Sequence, residues 1–273
     1  MNKFYYVAAI SNKAFITDIG QYAIKSLIRT GISLDDIHVI VNNKNDLKLI
    51  KTLIPSLINL YEAGIDITQA KWKYAGGKRR YSLFKLGGLC KFFGKPIPDR
   101  YMVFFDGDVL WYKDPTPFFE TRCETTWFHH GKSRRTRSKA GRRGLTEKDI
   151  DPTNYDQLCS WFSKPQAYLM HKWGAKKVAE REICSGLYIL HPRDHEKLLS
   201  LTYKGVLINS QHFIEHEGAG DQKPMNAVLN TLEIDWRGGS RFFCLEHKQY
   251  FEHFFGAKDL KEKMHAKIKK MNL

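Results

Sequence analysis

Tyr101-Met102-Val103-Phe104-Phe105-Asp106-Gly107-Asp108-Val109-Leu110-Trp111 sets five apolar residues directly before two carboxylates one residue apart. An unbroken apolar run of this length reads as a buried strand, and the carboxyl ends of such strands are where ligands bind in open α/β sheets. Two like charges at that end call for a cation. Oxygen ligands on a tight turn suit Mg²⁺ or Mn²⁺, hard ions that keep positions open for a phosphate-bearing substrate. The plainer reading is a pair of carboxylates that caps the next segment or pairs with Lys and Arg. The chain supplies a control in Asp149-Ile150-Asp151, which follows a basic stretch with no strand before it and lacks the context of the first pair.

Outward from this strand, the first half alternates strand and helix signals. Phe4 to Ile10 reads as the first strand, and Thr17 or Asp18 is expected to cap a helix carrying Ile19, Ala23, Leu27 and Ile28, stopped at Gly31. Ile37 to Val41 follows as a short apolar strand, Asn43 to Ile54 as an amphipathic helix ended by Pro55, and Leu57 to Tyr61 as a third strand. Tyr81 to Phe93 is expected to be helical despite Gly87-Gly88. This order predicts an α/β fold, a Rossmann-like, mostly parallel sheet flanked by helices.

The pattern breaks from Thr121 to Lys177, a charged and aromatic stretch read as an insertion. The sheet is expected to resume as one strand over Ile183 to Leu190. A helix near Asp194 to Leu201, another beginning near Asp221, a strand at Arg241 to Leu245 and a basic helix over Lys258 to Met271 complete the chain. The expected organisation is a single domain: 1–120 ending in the paired carboxylates, 121–177 as the basic insertion, 178–257 as the second half and 258–273 as the tail helix.

Composition sets bounds. At 273 residues, with 42% hydrophobic and 13% aromatic content, the chain is long enough to bury a large core. The longest apolar run near the N-terminus is too short for a membrane span and lacks a small-residue cleavage site. Cys90, Cys123, Cys159, Cys184 and Cys244 are scattered and odd in number, which argues against a disulfide framework and for a reducing cytoplasm. The 44 Lys and Arg against 29 Asp and Glu give +15, an excess that points to a polyanionic partner. Lys132, Arg134, Arg135, Arg137, Lys139, Arg142 and Arg143 share one acid-free stretch, expected to be solvated by self-repulsion. Lys71, Lys73, Lys78, Arg79 and Arg80 form a second cluster interleaved with Trp72, Tyr74 and Tyr81.

The Asp106-Gly107-Asp108 turn resembles the D-x-D motif of GT-A glycosyltransferases. Three further landmarks follow in matching order and sharpen the resemblance toward the retaining glycogenin and lipopolysaccharide galactosyltransferase-like group. Cys184-Ser185-Gly186-Leu187 lies where that group has an N-x-G-hydrophobic strand, Asp221-Gln222-Lys223-Pro224-Met225-Asn226 looks like its D-Q-x-x-x-N segment, and His253-Phe254-Phe255-Gly256-Ala257-Lys258 is similar to its closing H-x-x-G-x-x-K. The likeness runs from Tyr5 to about Lys258 and is interrupted by the insertion.

The resemblance implies a nucleotide-sugar donor, a UDP-sugar by preference. It places a divalent ion on Asp106, Asp108 and His253, where charge develops on the departing diphosphate; the imidazole ligand favours Mn²⁺ over Mg²⁺. It further implies Lys85, Gly256 and Lys258 on the donor phosphates and sugar, Ser11 and Asn12 on the nucleoside, the Asp221 carboxylate on sugar hydroxyls and the Gln222 amide near the anomeric carbon. The reaction would then retain configuration by front-face attack, the leaving phosphate oxygen taking the acceptor proton. The plainer reading of His253 is a surface histidine among aromatics, and that of Asp221 a helix N-cap after Gly218-Ala219-Gly220. The chain departs from the group's pattern in placing Cys184 where it has Asn, and in having one residue between Gly256 and Lys258 with Asp259 following, so that Lys261 is a substitute for the phosphate role.

The expected activity is a hexosyl- or pentosyltransferase. Its favoured acceptor is a hydroxyl on a modified, hydroxymethylated base in phage-type DNA, held by Arg134, Arg135, Arg137, Arg142 and Arg143 and flipped from the stack. The competing acceptor is a lipopolysaccharide, glycolipid or glycan at the membrane face, with the basic tail and Phe254 and Phe255 as a peripheral anchor. A reading of another class is a non-catalytic nucleic-acid-binding protein on a transferase fold.

Overall fold

The structure, a computed structural model, describes residues 2–69, 80–129, 131–135, 138–213, 220–232, 234–238, 248–254 and 259–273. Its strands are β1 Phe4–Ala9, β2 Ile37–Val41, β3 Asn59–Glu62, β4 Tyr101–Phe105, β5 Val109–Trp111, β6 Thr126–Phe128, β7 Gly131–Ser133, β8 Arg181–Ile183, β9 Leu187–Leu190, β10 Trp236–Gly238 and β11 Phe251–His253. Its α-helices are α1 Lys13–Phe15, α2 Gln21–Arg29, α3 Lys44–Leu53, α4 Arg80–Phe93, α5 Thr116–Glu120, α6 Tyr155–Trp161, α7 Lys164–Lys172, α8 Pro192–His212, α9 Gln222–Thr231 and α10 Leu260–Met271.

Seven strands form the central sheet in the order β10-β6-β9-β4-β1-β2-β3. All pairs are parallel except those of β9, which runs antiparallel to both β4 and β6. Strands β1 and β4 sit inside the sheet and are apolar on both faces, as their unbroken runs predict. Their alternating side chains divide between two cores. Tyr6, Ala8, Val103 and Phe105 pack with Ile24, Leu27 and Ile50 from α2 and α3. Tyr5, Val7, Met102 and Phe104 pack with Leu86, Leu198 and Val228 from α4, α8 and α9. Phe104 is fully buried and stacks on Tyr188 of β9 with centroids 4.9 Å apart; truncating such a phenylalanine costs about 3–5 kcal/mol.

Several expectations need correction. The first helix starts earlier than Thr17: Asn12, at φ 80°, accepts from the backbone N–H groups of Ala14 and Phe15, and a π-helical turn at Ile16–Gly20 joins α1 to α2. Thr17 instead donates its hydroxyl to Lys13 O at 2.9 Å. Ile183 to Leu190 is not one strand. β8 pairs with β7 in a small separate sheet, and the Cys184-Ser185-Gly186 turn carries the chain into β9 of the main sheet. The Thr121 to Lys177 stretch, read as an insertion, is partly built into the fold. It contributes β6 to the central sheet, and α6 and α7 bury Leu158, Trp161, Leu169 and Met170 in a third core that includes Ala227 of α9. The helix expected over Asp194 to Leu201 extends to His212.

The tail helix α10 buries Met264 and Ile268 against Ile19, Leu110 and Phe254. Phe254 is therefore core, not a membrane anchor. Lys261 Nζ pairs with Asp18 Oδ2 at 2.7 Å, and His265 Nε2 lies 2.7 Å from Asp18 O. Among the described residues no helix is long and apolar enough to cross a membrane. The Lys71 to Arg79 cluster, Arg137, Arg241 to Leu245, Phe255, Gly256 and Lys258 lie outside the described residues.

Candidate functional site

The site forms where β4 ends. Asp106 N donates to Gly186 O at 2.7 Å and Asp106 O accepts from Val109 N at 3.2 Å, which closes the Asp106-Gly107-Asp108 turn. Gly107 makes room for the packing here, because a Cβ there would stand 2.7 Å from Phe15 Cε1 and 3.0 Å from Ile10 Cγ2 and would push the Phe15 ring aside. Strand β5 then pairs antiparallel with β11, placing His253 opposite Val109. Phe254 N donates to Asp108 O at 3.0 Å, and His253 Nε2 lies 3.3 Å from Asp108 Oδ1.

Asp106, Asp108 and His253 each offer one ligand atom, all within 4.8 Å of one another. Two oxygens and one imidazole nitrogen fit Mn²⁺ well and Mg²⁺ less well. The surroundings fit a cation too. A Cβ at Gly186 would reach to 2.6 Å from His253 Nε2 and 3.0 Å from Asp106 Oδ2, so the glycine keeps open the space between these ligands. Asp108 Oδ1 is buried without a well-aligned hydrogen bond. Burial pushes the Asp106 carboxyl up to about 6; Lys85 opposes that rise, and the neighbouring Asp108 and Asp221 carboxylates reinforce it. Burial acts on Asp108 in the same direction, but His253 beside it brings its carboxyl below the usual range.

Lys85 of α4 is the cation already present. Its ammonium lies 2.9 Å from Asp106 Oδ1 and 2.7 Å from Asp221 Oδ2, donates to Ser185 O at 3.0 Å, and sits 4.4 Å from the Phe104 ring centroid. Burial alone would lower its pKa; the two carboxylates outweigh burial and raise it, so it stays charged. Asp221 is half-buried yet held below the usual carboxylate range, because Lys85 and the Ser185 and Ser82 hydroxyls offset the desolvation. Asp221 thus reaches the same cluster from the start of α9, and Gln222 follows it as the first residue of that helix. Cys184 lies on the turn beside it, its thiol pushed up to about 11 by burial.

A second feature lies at the carboxyl ends of β1 and β2. A cavity of about 430 Å³ is lined by Ser11, Asn12, Lys13, Asn42, Asn43, Asp46, Tyr81 and others. Asp46 organises it, accepting from Ser11 Oγ, from Asn12 N at 3.1 Å and from Asn43 Nδ2 at 3.0 Å. Tyr81 donates its hydroxyl to Ser11 O. Ser11 and Asn12 were legible in the sequence; Asn42, Asn43, Asp46 and Tyr81 were not. The signal available was the Asn42-Asn43 pair directly after a buried strand, at the sheet edge where ligands bind.

The basic stretch divides. Arg134 is buried, ion-paired with Glu182 and 5.4 Å from the Phe162 ring centroid; it is part of the interior and not a surface contact for an acceptor. Glu182 also pairs with Lys223, next to Gln222. Arg135 is half-exposed and faces Glu147 and Glu180. Arg142 and Arg143 are exposed. Asp149 caps its own turn through Thr146, and Asp151 bonds Thr153, so the second Asp-x-Asp is structural.

No protein-family model matches the sequence, and no curated protein matches it by sequence. Solved structures do resemble it. An active-site mutant of LgtC matches over 97% of this chain and 95% of its own, with a TM-score of 0.52 and 11% identity. Mouse xyloside xylosyltransferase 1 matches over 83% of this chain and 81% of its own, at TM-score 0.46 and 13% identity. Core-mannan synthase A from Aspergillus fumigatus, in an Mn/GDP form, matches over 93% and 75%, at TM-score 0.43 and 11% identity. The match to LgtC spans nearly all of both chains, and the chain therefore has the GT-A glycosyltransferase fold.

Proposed function

We propose that the chain is a metal-dependent glycosyltransferase that moves a sugar from a nucleotide-sugar donor, a UDP-sugar by preference, to an acceptor hydroxyl with retention. The observation that carries the reading is the meeting of Asp106, Asp108 and His253 with Lys85 and Asp221 at the end of β4. Such a set has little use in a binding protein with no phosphate to hold. A bound divalent ion would neutralise charge on the departing diphosphate. The nucleoside takes the cavity at Ser11, Asn12 and Asn43, and Gly256 and Lys258 serve the phosphates. Asp221 accepts from sugar hydroxyls while Lys85 holds its carboxylate, and the Gln222 amide faces the anomeric carbon. The leaving phosphate oxygen takes the acceptor proton on the same face, while Lys85 engages the Asp106 and Asp221 carboxylates.

For the acceptor, the favoured reading is a hydroxylated base in DNA. The exposed Arg142 and Arg143 support it, with Arg135 beside them. A glycolipid acceptor is supported by α10, which turns Met264 and Ile268 inward and leaves Lys261, Lys263 and Lys267 on the surface.

Thermal-shift titration with UDP- and GDP-sugars in Mn²⁺ identifies the donor, and transfer to hydroxymethylated duplex DNA or to glycolipid identifies the acceptor. Replacing Arg142 and Arg143 by Gln should raise the apparent KM for DNA and reduce its log-log salt slope by about one unit per lost phosphate contact, leaving donor hydrolysis intact. Equal DNA affinity at every salt concentration contradicts the DNA reading and favours the glycolipid.

A further inference from the structure

We propose that Ser82 is a positioning residue that fixes the Asp221 carboxylate and the first turn of α9 for sugar transfer. Asp221 stands at the N-cap of α9, yet its side chain makes no capping hydrogen bond. Its orientation is therefore set from outside its own helix. Ser82 is buried on α4 and makes a reciprocal pair with Asp221: its Oγ accepts from Asp221 N at 3.1 Å and donates to Asp221 Oδ1 at 3.2 Å. One turn further along α4, Lys85 holds the other oxygen, Oδ2, at 2.7 Å.

The two α4 residues thus grip opposite ends of one carboxylate. Lys85 and the Ser185 hydroxyl also hold the carboxylate, but neither ties it to the backbone at the start of α9. The Ser82 hydroxyl holds the carboxylate and the backbone together, since it also satisfies an N–H that a helix start would otherwise leave open. A Cβ at Gly220 would stand 3.2 Å from Ser82 Oγ and would press on this contact. Because Gln222 follows directly, a loosened Asp221 also displaces the amide assigned to the reacting carbon. Misplacement of about 1 Å at such a centre costs on the order of 100-fold in rate. Ser82 never touches the reacting atoms in this scheme; it acts through Asp221.

The inference rests on the glycosyltransferase reading for its effect on turnover but not for its effect on α9. The experiment compares wild type, Ser82→Ala and Ser82→Thr in nucleotide-sugar hydrolysis and in amide hydrogen exchange across residues 220–226. The expected result for Ser82→Ala is a kcat lowered about tenfold, a donor KM within about twofold of wild type and faster exchange at the start of α9. Ser82→Thr, which keeps the hydroxyl, should restore both. Unchanged kcat overturns the proposal, and so does a loss of kcat, KM and melting temperature together that threonine fails to rescue. If wild type hydrolyses no nucleotide sugar, the glycosyltransferase reading fails by itself. Exchange then decides on Ser82, and unchanged protection in Ser82→Ala overturns its role.

Discussion

His253 Nε2 stands 3.3 Å from Asp108 Oδ1 because β11 and β5 pair antiparallel, with His253 opposite Val109 and Phe254 N bonded to Asp108 O. Strand pairing near the end of the chain thus completes a site begun at its middle. The spacing of these side chains is set by the fold, so a metal bound between them should stabilise the whole protein.

Mn²⁺ at about 100 times its Kd should contribute about 2.7 kcal/mol, which for a chain of this size raises the melting temperature by about 5 °C. Asp108→Asn should abolish that rise while leaving the metal-free melting temperature within a few degrees. A full Mn²⁺ shift in the variant, read by calorimetry, would remove Asp108 from the ligand set.

Gly186→Ala probes the same space without touching a ligand. The added Cβ must displace His253 or Asp106, so Mn²⁺ affinity measured by electron paramagnetic resonance should fall at least tenfold. An unchanged affinity would show that the glycine serves only the turn between β8 and β9.

Gln222→Ala should spare binding of the nucleoside diphosphate and lower turnover about 100-fold, the scale of losing one transition-state contact. Titration calorimetry and donor hydrolysis separate the two effects. Weakened diphosphate binding with normal turnover would place Gln222 on the wrong group.

How much of this was legible in the sequence follows from what held each part in place. Strand β4 was readable because burial on both faces demands unbroken apolar character, and β2 because four of its five residues are β-branched and apolar around His38. The break at Cys184 was passed over: Ser185-Gly186 is a turn signal, but apolar residues on both sides read as one strand until β8 and β9 are seen in different sheets. β6 escaped because three residues carry no period. Asp106, Asp108 and His253 carry their chemistry in their residue types, whereas Asp46 and Ser82 act through partners distant in sequence. Arg134 reads as a surface cation until Glu182 of β8 is seen against it.

Acid should destabilise the protein through His38. Burial, reinforced by Arg100, lowers its imidazole to about 4 from the ordinary 6.5, so the folded state holds it neutral where the unfolded chain would protonate it. Its contribution is complete above about pH 6.5 and is lost as pH falls toward 4, amounting to about 3 kcal/mol at most. Denaturant melts at pH 7 and 4.5 should show the loss, and His38→Asn should show a smaller one. An identical loss in the variant would assign the acid sensitivity to other groups.

The most direct measurement is release of nucleoside diphosphate from a panel of UDP- and GDP-sugars by wild type and Asp108→Asn, each with Mn²⁺ and with EDTA. The account predicts slow hydrolysis of at least one sugar by wild type in Mn²⁺, lost both in EDTA and in the variant. Hydrolysis that proceeds equally in EDTA contradicts the metal mechanism, and absence of turnover and of binding for every donor contradicts the glycosyltransferase reading itself.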